Sequence, residues 1–217
     1  MIIQIYEVSS LEEAQGLEMI GVDHIGVLVG KTDYPRGLSP EETKAIFNTV
    51  SDKIKKVALS LHTDLNKIIE IIEKTNPDII HIAALPKDIS PEDVKTIKQK
   101  FPNIEIMRTI PVIDEKSIDL AKQYDEIVDY LLLDSHNKGD WQVGATGKTH
   151  NWDISRRIVE SVNTPVILAG GLGSDNVKEA IEKVKPFGVD SKTKTDKEGI
   201  HKKDLEKVKE FVSRAKN

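Results

Sequence analysis

Cysteine is absent from the 217 residues. That excludes disulfides, thiolate metal sites and cysteine nucleophiles, and it fits a reducing cytoplasm. No apolar run is long enough to span a bilayer, and the first ten residues lack the basic leader of a secretion signal. The six histidines show no paired metal spacing such as H-E-x-x-H. The net charge of −5 is spread along the chain, so no basic footprint for nucleic acid is present. No stretch rich in Pro, Gly or Ser divides the chain, which reads as one domain over residues 1–217.

What the sequence does contain is an alternation. Apolar residues make up 38% and charged residues 31%, enough for a buried core inside a charged helical shell. Short apolar runs predict strands at residues 2–6, 22–29, 54–60, 78–83, 104–109, 128–133, 165–169 and 188–191. Amphipathic stretches between them predict helices. Ser10 caps the first, with Glu13 as a capping-box partner, and Ser39-Pro40 and Ser90-Pro91 open the second and fourth. The remaining helices are expected over 64–74, 115–124, 151–162, 174–184 and 201–215.

Eight strand–helix units imply parallel strands with helical crossovers, and in this length they close into a (β/α)₈ TIM barrel. The competing open, doubly wound sheet would carry a glycine fingerprint after its first strand. Tyr6-Glu7-Val8-Ser9 has none.

Active sites of such barrels sit at the C-terminal ends of the strands. The candidates there are Tyr6 and Glu7, residues 31–36, His62, His81, Arg108, Asp134 to His136, residues 170–173 and residues 191–195. Asp134 follows the apolar run 130–133. A carboxylate at the mouth of a buried strand can have a raised pKa and donate a proton near neutrality; the alternative is a loop-capping Asp. Gly170-Gly171 closes the seventh strand just before a helix, where bare backbone amides and a helix start suit a phosphate; the alternative is a tight turn. Arg36 suits a carboxylate or phosphate, or else is a solvated loop residue. The glycine-rich stretch 140–149 is a candidate lid. It ends Gly-Ala-Thr-Gly-Lys-Thr but is no P-loop, because Gln142 stands where the first glycine belongs. His136 stands apart from the other histidines by lying two residues past Asp134.

Three runs, in order, point to a family: Leu131-Leu132-Leu133-Asp134-Ser135, Thr146-Gly147-Lys148-Thr149-His150-Asn151-Trp152, and Pro165-Val166-Ile167-Leu168-Ala169-Gly170-Gly171-Leu172. Weaker matches include Gly21-Val22-Asp23-His24-Ile25-Gly26, Pro35-Arg36 and Gly188-Val189-Asp190-Ser191. Over nearly its whole length the chain resembles the phosphoribosylanthranilate isomerases of tryptophan biosynthesis. The resemblance implies a cytoplasmic enzyme, monomer or homodimer, that performs an Amadori rearrangement of a small phosphorylated sugar amine. It implies neither metal nor organic cofactor.

By that resemblance Asp134 is the general acid, Arg36 holds the anthranilate end, and Gly170 and Gly171 bind phosphate together with Ser191 and Lys192. The family's first strand ends Lys-x-Cys-Gly, with the cysteine as general base; here the stretch reads Gln4-Ile5-Tyr6-Glu7, so Tyr6 takes the base position. A phenol titrates near 10 and would need strong activation. Glu7 is an alternative base, although a neighbour on a strand points the other way. The family's Ser-Ser-Gly loop after the eighth strand reads Ser191-Lys192-Thr193 here. A divergent paralogue acting on another phosphorylated ligand is the competing interpretation.

Overall fold

A computed structural model describes residues 1–30, 34–135 and 149–217. Eight strands run β1 (Ile2–Tyr6), β2 (His24–Leu28), β3 (Lys55–Ser60), β4 (Ile79–Ile82), β5 (Glu105–Val112), β6 (Tyr130–Ser135), β7 (Val166–Leu168) and β8 (Gly188–Ser191). All pair in parallel with their sequence neighbours, and β1 also pairs with β8, so the sheet closes. The helices are α1 (Leu11–Ile20), α2 (Pro40–Phe47), α3 (Leu65–Thr75), α4 (Pro91–Lys100), α5 (Lys116–Tyr124), α6 (Trp152–Ser161), α7 (Val177–Val184) and α8 (Leu205–Lys216). None of them is long and apolar enough to cross a membrane.

The start signals act as expected at α2 and α4, where Ser39 and Ser90 each complete a capping box ahead of a proline. Glu13 departs from expectation. Ser10 caps α1, but the Glu13 carboxylate accepts from the Ser9 amide at 2.8 Å and the Lys203 amide at 2.7 Å. It thus ties the first helix to the segment before α8. Two helices start later than expected, α7 at Val177 and α8 at Leu205, where Asp204 provides the cap. Strands β5 and β6 run past their apolar cores because they pair with each other: Pro111 lies opposite Asp134 and Val112 opposite Ser135.

Strand alternation divides the apolar side chains into two cores. Outward residues such as Ile3, Ile5, Leu131, Leu133, Val166 and Leu168 meet the helices. Inward residues such as Tyr6, Leu28, Met107, Leu132 and Ile167 fill the lumen. Arg108, a candidate by position, belongs to the outer set. It is fully buried, donates to the Ile82 and Ala84 carbonyls at 2.8 and 2.6 Å, and covers the Tyr124 ring. It fastens the barrel to its shell.

Tyr6 is the bulkiest lumen residue at the strand tops, and its register partner is Gly26. A methyl group on Gly26 would lie 1.7 Å from Tyr6 Cε1, so the ring occupies the space that the glycine vacates. Gly26→Ala is therefore expected to destabilise the fold by about 3 kcal/mol. In a Tyr6→Cys background, with the ring removed, it should cost less than about 0.5 kcal/mol. Denaturant unfolding of the four proteins of this cycle measures both.

Candidate active site

Alternation places Asp134 on the face of β6 that carries Leu132, at the top of the lumen. Its Oδ1 accepts from the Ser135 amide at 2.7 Å and, at 3.4 Å, from the Ser135 hydroxyl. Burial pushes the carboxyl up to about 6; the Ser135 bonds and the positive charge of Lys192 pull the other way. The next inward stretch is the turn after β7. Gly170 and Gly171 both hold positive φ, 82° and 62°, which a glycine adopts without strain. A methyl group on Gly170 would sit 3.2 Å from Asp134 Oδ1 and 2.8 Å from His150 Nδ1. The turn is set by Asn176, whose side chain receives the Gly173 amide at 2.9 Å and donates to the Gly171 carbonyl at 3.0 Å. Two parts of the sequence expected to converge, the carboxyl of the sixth strand and the glycines of the seventh, are in van der Waals reach.

On the far side of the turn stands Lys192, just past β8. Its Nζ lies 2.9 Å from Glu7 Oε1, and its charge acts on both Asp134 and Asp190. Glu7 was expected to point away. One residue past the end of β1, its carboxylate instead meets Lys192. Ser191 has a different role from the one expected. It is buried, and its hydroxyl donates to the Leu172 carbonyl at 2.7 Å, so it shapes the β7 turn and has no hydroxyl hydrogen left for a ligand.

Arg36 also differs. It is only 2% exposed. Its Nη1 donates to the Glu7 carbonyl at 3.0 Å and its Nη2 lies 2.5 Å from Asp196 Oδ2. The other oxygen of Asp196 holds Lys203 Nζ at 2.7 Å. Both terminal nitrogens of the guanidinium thus have protein partners.

Tyr6 requires the firmest correction. Its hydroxyl is 2.8 Å from His81 Nδ1, and His81 Nε2 is 2.6 Å from Thr109 Oγ1. Burial first, then the charges of Asp190 and Glu7, raise the phenol well above its ordinary value. Burial, with Arg108 nearby, lowers His81 to about 3, which leaves its ring neutral and without a positive charge to offset a phenolate. A phenol so placed keeps its proton; Tyr6 is a packing residue with a satisfied hydroxyl and not a base.

Sequence reasoning passed over Asp190 and His150. Asp190 is buried beside Gln4, which donates to it at 3.3 Å; burial and the charge of Asp134 push it well up. The parity of Gly188 and Asp190 on β8, opposite to that of the outward-facing Val189, is the signal that could have found it. His150 bonds Ser155 Oγ through Nε2 at 2.7 Å, and its buried Nδ1 has no hydrogen-bond partner among the described residues; the family-like run 146–152 is the signal that contains it. Residues 31–33, His136 and the candidate lid up to Lys148 lie outside the described residues. Among the described residues no group of three or more His, Asp or Glu side chains is placed to hold a metal ion.

Comparisons with known proteins bear on the family and the fold. The family model for N-(5′-phosphoribosyl)anthranilate isomerase matches residues 6–214. N-(5′-phosphoribosyl)anthranilate isomerase 2 of Methanosarcina mazei is 34% identical over 219 residues, covering all of this chain and 95% of its own length. The solved phosphoribosylanthranilate isomerase of Thermotoga maritima superposes with a TM-score of 0.85 at 25% identity, covering all of this chain and 99% of that one. A phosphoribosylanthranilate isomerase solved with reduced 1-(o-carboxyphenylamino)-1-deoxyribulose 5-phosphate shares the fold, with a TM-score of 0.82 at 23% identity and coverage of 100% and 99%. On a family match over nearly its whole length, this chain belongs to the N-(5′-phosphoribosyl)anthranilate isomerase family.

Proposed function

We propose that the chain isomerises N-(5′-phosphoribosyl)anthranilate to the corresponding amino-ketose, as a cytoplasmic enzyme of tryptophan biosynthesis whose barrel is its single domain and which acts as a monomer or homodimer. The observation that carries this is the convergence of a proton-holding carboxyl, Asp134, with a glycine turn and a lysine around one point at the barrel mouth.

Each group has a place in the chemistry. The phosphate of the sugar is seated at Gly170, Gly171 and Lys192, where positive-φ glycines let the backbone approach an anion closely. Asp134 delivers its proton to the ribose ring oxygen as the bond from C1′ to that oxygen breaks. The lone pair of the anilino nitrogen then forms the C1′=N bond. The low-polarity surroundings that raise Asp134 make it a better donor near neutrality than a solvated carboxyl, which would already be ionised. Loss of the C2′ proton then gives an enolamine that relaxes to the ketone. Protons move and no electrons are gained or lost overall, so no redox cofactor is required.

Turnover of N-(5′-phosphoribosyl)anthranilate by the purified protein, followed through loss of the substrate, tests this directly. Absence of turnover together with retained binding of phosphorylated ligands would replace the isomerase with a paralogue of other specificity. With an active protein, Asp134→Asn is expected to lower kcat by about 10²- to 10⁴-fold while KM stays within a few-fold, since it removes a proton donor and keeps the shape.

The same carboxyl sets a pH dependence of known sign. The donor must be protonated, so the alkaline limb of kcat/KM is expected to fall as pH rises through about 6. A carboxyl raised in the folded state binds more protons there than in the unfolded chain between pH 4 and 6, so its contribution to stability is lost as pH rises across that window. Asp134→Asn, which cannot ionise, should therefore be more stable than wild type at pH 7 by on the order of 1 kcal/mol, and this advantage should vanish near pH 4. Thermal unfolding of both proteins at the two pH values measures it.

A further inference from the structure

Removal of the C2′ proton needs an acceptor, and Tyr6 is not one. The described side chains offer another. Glu7 follows directly after β1, and its carboxylate is 10% exposed at the mouth of the barrel, 2.9 Å from Lys192 Nζ. Its backbone is held as firmly as its side chain. Arg36 donates to the Glu7 carbonyl at 3.0 Å, Asp196 holds Arg36, and Lys203 holds Asp196. This buried chain of charges, drawn from three separate segments, ends on one peptide group, that of Glu7.

The placement of Glu7 relative to the acid is what the reaction asks for. In the closed barrel β7 and β8 stand between β6, which carries Asp134, and β1, which leads into Glu7. Those two strands lead into the turns proposed to seat the phosphate. A sugar anchored there has Asp134 on one side and Glu7 on the other. The two carboxyl groups also have opposite surroundings: Asp134 is raised by burial, whereas Glu7 is in direct contact with an ammonium.

We propose that Glu7 is the general base of the isomerisation and that Lys192 positions it. The proposal rests on the isomerase reading above. Glu7 takes the C2′ proton, and the C2′–H electron pair becomes the C1′=C2′ bond. The π pair of C1′=N returns to the anilino nitrogen and cancels the positive charge created when Asp134 protonated the ring oxygen. Ketonisation reverses both transfers: Glu7 returns its proton to C1′, and the C2′ hydroxyl proton goes to the Asp134 carboxylate. Both side chains finish as they began. An ammonium has three donors, so Lys192 can hold Glu7 and a phosphate oxygen at once, which couples the base to substrate binding.

Five proteins test this on N-(5′-phosphoribosyl)anthranilate with hydrogen or deuterium at C2′: wild type, Glu7→Gln, Glu7→Asp, Lys192→Met and Tyr6→Phe, each checked for folding by circular dichroism. Glu7→Gln is expected to lower kcat by about 10²- to 10³-fold with KM within about threefold, and to enlarge the C2′ deuterium isotope effect. Glu7→Asp, which keeps the charge and the pairing with Lys192, should recover at least about tenfold of that loss. Lys192→Met should lower kcat as well as raise KM, whereas a lysine that only binds phosphate would raise KM alone. Should wild type turn over while Glu7→Gln stays within about threefold of it, or should the large loss fall on Tyr6→Phe, Glu7 is not the base and the isomerase reading stands. An inactive wild type overturns both.

Discussion

Closure of the sheet is the constraint from which the rest follows. Eight parallel strands that pair in a ring must send every second side chain into a lumen too narrow for water-filled space, so that interior has to be packed. Here Leu28, Met107, Leu132 and Ile167 pack it, with Tyr6 lying against Gly26. At the strand tops the same inward positions become polar: Asp134 stands two residues above Leu132. The site is the last layer of the lumen, and its chemistry is inherited from the layer beneath.

That layer supplies the electrostatics. A carboxyl resting on apolar side chains loses its hydration, and the charged form bears the cost. Asp134 and Asp190 both rise for this reason, and the charge of Asp134 raises Asp190 further because like charges this close resist joint ionisation. Charges nearer the rim are handled differently. Glu7 pairs with Lys192, and Arg36 and Lys203 pair with Asp196. Carboxyl groups in the lumen are pushed toward their protonated forms, and those at the rim are paired with cations.

How much of this the sequence discloses depends on how local the determining physics is. The eight units were legible because strand and helix periodicities and serine–proline starts are local signals, and the ring follows from their number. The convergence of Asp134 with Gly170 was legible because both end strands that alternation and chain order place side by side. Roles set by tertiary partners were not. Arg36 is an arginine in a loop until Asp196, 160 residues away, is brought beside it. Ser191 looks like part of a phosphate loop until its hydroxyl meets the Leu172 carbonyl. Glu7 was misplaced by extending an alternation one residue past the end of its strand. The stretches 31–33 and 136–148, which carry His136 and most of the candidate lid, are outside the described residues.

The tyrosine at the end of β1 then has a physical reading that involves more than one residue. A phenol at this depth needs volume, which Gly26 leaves free, and a partner for its hydroxyl, which His81 supplies. Buried polar groups are tolerated when they are satisfied, so the tyrosine can serve the fold. It cannot also serve as a base, because the burial that makes it fit raises the cost of its anion. A carboxylate one residue further along avoids this conflict. At the rim it reaches an ammonium, and its main chain is fixed by a buried arginine. Packing at the strand top and proton transfer at the mouth are thereby assigned to consecutive residues, each in the environment its task requires.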